Sequence, residues 1–82
     1  MNVTTVESAT LRGIAYDEGT GLLRLEFRSG AVYDYFEVPG AVHDALLRAP
    51  SMGACFNRAV RGCFRFCRVL PIDSERRQEG EL

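Results

Sequence analysis

Arg48, Arg58, Arg61, Arg65 and Arg68 fall between residues 45 and 70 without one acidic residue among them. Residues 1–44, by contrast, hold three Arg against seven acids, and the whole chain nets −1. The chain contains no Lys, so every basic group is a guanidinium. A guanidinium presents a planar fork that grips phosphate or carboxylate and also stacks on flat rings. Asn57, Arg58 and Arg61 share one side of a helical stretch, and Phe64 and Phe66 alternate with Arg65 and Arg68 just beyond it. Arginines that neutralise phosphates beside aromatics that stack bases are the combination that holds single-stranded or looped nucleic acid. The bland counterpart is a solvated helix side, and five positive charges are a modest electrostatic footprint.

Other chemistries find less to work with. His43 is the single histidine and sits beside Asp44 early in a helical stretch, where a surface residue is expected. Asp17-Glu18 lies in a Gly-containing turn rather than forming a carboxylate pair. Cys55, Cys63 and Cys67 are an odd set without secretory context and are expected to be reduced, buried thiols. If extended, Cys63 and Cys67 lie roughly 13 Å apart at about 3.3 Å per residue, beyond disulfide reach. Three Cys and one remote His do not match a zinc spacing. The expectation is therefore a protein that is not an enzyme, with no cofactor, no metal site and no small-molecule substrate. No segment approaches the ~20 apolar residues of a membrane helix, and "MNVTTVESAT" lacks the basic start and apolar run of a signal peptide. A cytoplasmic, non-membrane protein is expected.

The elements that would position these groups can be read from periodicity. Residues 1–7 read as a lead-in, 8–70 as one domain, and 71–82, "PIDSERRQEGEL", as a disordered tail. Strands are expected over 8–16, 22–28 and 31–36; in the second, Leu23, Leu25 and Phe27 alternate with Arg24, Glu26 and Arg28. Val38-Pro39-Gly40 opens a first helix, since proline lacks an N–H where the first turn has no partner for one. Pro50 ends that helix, and Ser51 caps a second over roughly 51–61. Met52, Cys55, Phe56, Ala59 and Val60 form its apolar stripe. "CFRFCRVLP" follows as a short fourth strand or an extended arm.

"AVYDYFEVPG" poses the sharpest question, because Tyr33 and Tyr35 must share one face of a strand. A two-residue loop at Ser29-Gly30 would set Asp34 opposite Leu25. A three-residue loop of Arg28-Ser29-Gly30, with Gly30 at the bulge position, sets Leu25 opposite Tyr33, Leu23 opposite Tyr35 and Arg24 opposite Asp34. The second register gathers apolar groups on one face and opposes unlike charges on the other, so it is preferred. The fold that follows is α+β, a three-stranded antiparallel meander packed on one face by two short helices. Tyr33 and Tyr35 are then core aromatics under those helices.

These same landmarks resemble the KTSC domain, a family named for its occurrence at the C-terminus of some lysyl-tRNA synthetases. Ser8 and "GIAYD" match a serine-led first strand, with Ala15 where the family tends to have Gly. Phe27, Gly30, Tyr33 and Tyr35 match its Phe-x-x-Gly-x-x-Tyr-x-Tyr core, and Val38-Pro39 its Val-Pro pair. Ala49, Ser51, Gly53, Phe56, Asn57 and Arg61 match its Ala-x-Ser-x-Gly-x-x-Phe-Asn-x-x-Ile-Arg run, with Val60 in place of Ile. Phe64 stands where tyrosine is more usual. The resemblance covers residues 6–69 and implies a bacterial domain without an established activity, for which the synthetase setting suggests RNA. Tyr33, Tyr35, Val38, Pro39, Ser51, Gly53 and Phe56 read as the residues that build the fold. Asn57, Arg58, Arg61, Phe64, Arg65, Phe66 and Arg68 read as the nucleic-acid-binding candidates. The alternative expectation is a protein-interaction module, or a dimer that pairs through the "CFRFCRV" strand.

Overall fold

The computed structural model describes residues 3–6 and 8–69. Its strands are β1 (Val3–Thr5), β2 (Leu11–Asp17), β3 (Leu22–Phe27), β4 (Val32–Tyr35) and β5 (Phe66–Val69), with helices α1 (Gly40–Arg48) and α2 (Met52–Ala59) between β4 and β5. All five strands form one antiparallel sheet in sequence order. The fold is α+β as expected, but the sheet has five strands where three and a short fourth were anticipated. Val3–Thr5, read as a lead-in, pairs with Gly13–Ala15 and extends the sheet at one edge. Three β-branched residues lie too close to the start of the chain to show a period, so only the partner strand reveals them. The tail expected over 71–82 lies outside the described residues.

The β3–β4 hairpin has the three-residue loop. The Phe27 N–H donates to Ala31 O at 2.8 Å, and Gly30, at φ +98°, donates to Phe27 O at 2.9 Å. Leu23 therefore faces Tyr35, Leu25 faces Tyr33 and Arg24 faces Asp34. Because Phe27 and Ala31 are a hydrogen-bonded pair, alternation makes Arg24 and Asp34 a non-hydrogen-bonded one, in which side chains lie closest. Their ion pair is bidentate, Nε to Oδ1 at 2.7 Å and Nη2 to Oδ2 at 2.9 Å. Asp34 is only 8% exposed and is the one buried charged residue among those described. The hydrogen bond to Asp34 holds the Arg24 guanidinium above its ordinary pKa, against a smaller opposing effect of burial.

β2 departs from simple alternation. Leu11 and Ile14, three apart, would point to opposite faces of a regular strand, yet both are fully buried. A bulge between Leu11 and Gly13 inserts one residue and rephases the strand. Arg12 then reaches Glu26 at 2.8 Å. With Leu23, Leu25, Val38, Leu46 and Val60, Leu11 and Ile14 form a fully buried core between sheet and helices.

The helices end where their residues dictate. Pro39 occupies the N-cap of α1 without a side-chain cap, and Ala49 before Pro50 leaves the helix in an extended conformation. Ser51 caps α2 by accepting from the Ala54 N–H at 3.3 Å. Leu46 of α1 and Cys55 and Phe56 of α2 are buried, while Met52 and Ala59 pack at the margin. Gly53 is required by a close approach, since a Cβ there would stand 2.5 Å from Thr10 Oγ1 and 3.3 Å from Thr10 Cβ. The Ser8–Thr10 turn, in which Ser8 Oγ accepts from the Thr10 and Leu11 N–H groups, thereby rests on the start of α2.

Two stability predictions follow from this packing. Arg24→Ala strands a nearly buried carboxylate, whereas Asp34→Ala leaves a half-exposed guanidinium free to turn to water. Urea unfolding should therefore show Arg24→Ala costing about 2 kcal/mol and Asp34→Ala distinctly less. Gly53→Ala should lower stability by about 1 kcal/mol in the same assay, although alanine ordinarily favours a helix by about that amount.

Candidate nucleic-acid interface

β5 is the element that assembles the candidate site. It lies beside β4 with Phe66 opposite Tyr35 and Arg68 opposite Tyr33, so these four side chains share the helix-side face. α1 and α2, nine and eight residues long, are each only about 12–14 Å in length, too short to shield five strands. They cover Tyr35, which is 5% exposed, and leave Phe66 55% exposed. Tyr33 is half-buried between them. The expectation that both tyrosines lie under the helices therefore holds for Tyr35 and is corrected for Tyr33. Tyr33 packs at the margin of the core rather than within it.

The result is an aromatic cleft of about 310 Å³ formed by Phe27, Tyr33, Tyr35, Phe56 and Phe66, with Arg61 and Gly62 on its rim. Phe66 lies 5.7 Å from Tyr33 and 5.5 Å from Tyr35 between ring centroids, inclined by 52° and 33°. Phe27 meets Tyr33 and Phe56 edge-on at 5.8 and 5.3 Å, and Phe56 meets Tyr35 edge-on at 5.9 Å. These separations and tilts suit aromatic quadrupoles, so the rings brace one another while the face of the cleft stays open. Burial pushes the Tyr35 phenol above its ordinary pKa; Tyr33 adds to the rise and Arg61 opposes it.

The arginine block divides. Arg61 lines the cleft, and its Nη1 donates to Asn57 Oδ1 at 3.4 Å, so Asn57 steers the guanidinium from one turn earlier. Arg68 is exposed on the cleft face through its pairing with Tyr33. Arg65 lies over the Phe36 ring at 5.8 Å from its centroid. Arg65 and Phe36 are each one residue out of phase with Phe66 and Tyr35, on the opposite side of the sheet. Arg58 is exposed but is not among the cleft residues. Phe64, expected to be a stacking surface, packs against the core instead. Phe27 and Tyr33 were not among the expected contacts, although both line the cleft. The alternation of Phe66 and Arg68 would have indicated them, once β5 was placed beside β4.

The remaining motif residues support the frame. Val38 is buried, donates its N–H to Gly21 O at 2.9 Å and accepts from the Tyr16 hydroxyl at 2.5 Å. His43, expected to be a plain surface residue, stacks on Tyr16 with centroids 4.6 Å apart and planes 17° apart. Cys55 is buried as expected, but Cys63 and Cys67 are exposed free thiols, because both lie past the end of the α2 stripe. Among the described residues no group of His, Cys, Asp or Glu is arranged to hold a metal, and no helix is long and apolar enough to cross a membrane.

Sign fixes a pH prediction for the cleft. Tyr35 keeps its proton longer in the folded than in the unfolded chain, so stability declines as pH rises past the unfolded value of about 10. Denaturation at pH 9 to 11 should show a shallower decline for Tyr35→Phe than for the parent chain.

Comparison with known proteins places this geometry in a family. The chain aligns at 42% identity over 60 residues with a lysine–tRNA ligase of Nostoc punctiforme, covering 73% of this chain and 11% of the ligase. The chain thus spans about one-ninth of that relative's length. An uncharacterised protein of Stutzerimonas stutzeri is 41% identical over 61 residues, which are 74% of this chain and 86% of that protein. The crystal structure of a KTSC domain protein from Yersinia pestis superposes with a TM-score of 0.81 at 28% identity, covering 84% of this chain and 97% of the other. The KTSC domain model matches residues 7–64, so the bulged β2, the Tyr33–Tyr35 strand and the capped α2 described above are those of a chain that belongs to the KTSC domain family.

Proposed function

We propose that this domain binds single-stranded or looped RNA, with a base stacked in the aromatic cleft and the flanking phosphates held by Arg61 and Arg68. One observation carries the reading: Phe66 and Tyr33 present open ring surface on the same face as two exposed guanidiniums. A base needs a flat apolar wall, and its phosphate needs a cation at the rim; the cleft offers both. A base within a duplex cannot enter it, since its faces are already stacked, and so unpaired nucleotides are the fitting ligand. The likeness to a segment of a lysine–tRNA ligase adds an RNA setting to the chemistry. Asn57 contributes by orienting Arg61, while Arg58 and Arg65 add only long-range attraction.

Fluorescence anisotropy with a labelled oligoribonucleotide and with tRNA tests the reading. Affinity should fall with salt at a slope of only a few charges, and Arg61→Ala or Arg68→Ala should each flatten that slope by about one. Phe66→Ala should cost about 1–3 kcal/mol of binding at any salt, and Arg58→Ala should change affinity much less. Absence of binding at low salt, or equal loss in Arg58→Ala and Phe66→Ala, would remove the cleft from the reading.

A further inference from the structure

The outer edge of β5 carries a second feature, in its backbone. Phe36 donates its N–H to Arg65 O at 2.9 Å, so Phe36 and Arg65 are a hydrogen-bonded pair in the β4–β5 register. By alternation, Cys67 and Val69 also bond toward β4, whereas the N–H and C=O groups of Phe66 and Arg68 point away from it. Among the described residues no strand pairs with that side of β5, which ends the sheet. Phe66 on it is 55% exposed, and a bare edge flanked by apolar surface is a template for another strand.

We propose that the strand it accepts is β5 of a second copy of this chain, running antiparallel about a two-fold axis at Cys67. In that register Phe66 lies opposite the partner's Arg68 and exchanges both backbone hydrogen bonds with it, and the symmetric pair does the same. Four outward-pointing residues, two from each copy, are thus satisfied with no group left over. Each exposed Phe66 ring gains a guanidinium beside it, a favourable pairing of cation and π face. Sliding by two residues one way sets Arg68 against the partner's Arg68, which like charge opposes. Sliding by one residue sets outward-bonding groups against inward-bonding ones and breaks the ladder. The two sheets then form one continuous sheet of ten strands, with both aromatic clefts on the same face. A four-residue edge makes a small, concentration-driven contact.

The arrangement predicts its own cross-link. Cys67 is an exposed thiol, and at the axis it faces the partner's Cys67 as a non-hydrogen-bonded pair. Such pairs have Cα atoms about 4.5 Å apart, within disulfide range. Diamide should join them: two thiols give up two protons and two electrons to its N=N bond and leave one disulfide and a hydrazine. The full chain under reducing conditions should move toward twice the monomer mass by light scattering between about 10 µM and 1 mM. Diamide should give a covalent dimer in the parent chain and in Cys63→Ser, but none in Cys67→Ser. Arg68→Pro removes an outward N–H without taking a bond from β4 and should abolish the mass shift while circular dichroism stays unchanged. A monomeric mass at all these concentrations, or a cross-link that needs Cys63 rather than Cys67, would overturn the proposal. No RNA is present in these assays, so their outcome is separate from that of the binding reading.

Discussion

The pairing of β3 with β4 is the constraint on which the rest of the molecule depends. Strand alternation has a period of two, so one residue more or less in the Arg28–Gly30 loop would exchange the faces of the whole of β4. Gly30 adopts the positive φ that the longer loop requires. Leu23 and Leu25 then meet Tyr35 and Tyr33 on one side, and Arg24 meets Asp34 on the other. The bidentate ion pair reinforces this register, since a slipped strand would leave Asp34 buried without its partner.

From that register the cleft follows by accretion. Tyr33 and Tyr35 set the face of β4, and β5 joins with Phe66 and Arg68 in phase with them. The short helices close over Tyr35 and stop. Burial therefore differs within a single tyrosine pair: Tyr35 is packed in the core, and Tyr33 is partly exposed at its margin. The part of the core margin that lines the cleft is aromatic apart from Arg61 and Gly62.

The same economy appears at the far end of the core. Gly53 admits the Ser8–Thr10 turn against α2, and Ser8 and Ser51 each satisfy backbone N–H groups that open ends would leave bare. Tyr16 spans from the core to the Val38 carbonyl and offers its ring to His43. These contacts tie β2 and the turn before it to Val38, ahead of α1, and to the start of α2.

The sequence by itself determined what local periodicity and turn chemistry can specify. The alternation of Leu23, Leu25 and Phe27, the Gly30 loop, the Pro39 and Ser51 helix starts and the α2 stripe were all legible, because each is decided within a few residues. The order of its motifs also pointed to the family. Only the tertiary structure decided the bulge that buries both Leu11 and Ile14, the pairing of Val3–Thr5, and the placement of Phe64 inward and Phe66 outward. It alone divided the arginine block, setting Arg61 at the cleft, Arg68 opposite Tyr33 on the same sheet face, and Arg65 over Phe36 behind it. The reason is that strand partners and helix reach are non-local: which face a side chain joins depends on a neighbour about thirty residues away in the chain, as Phe66 depends on Tyr35.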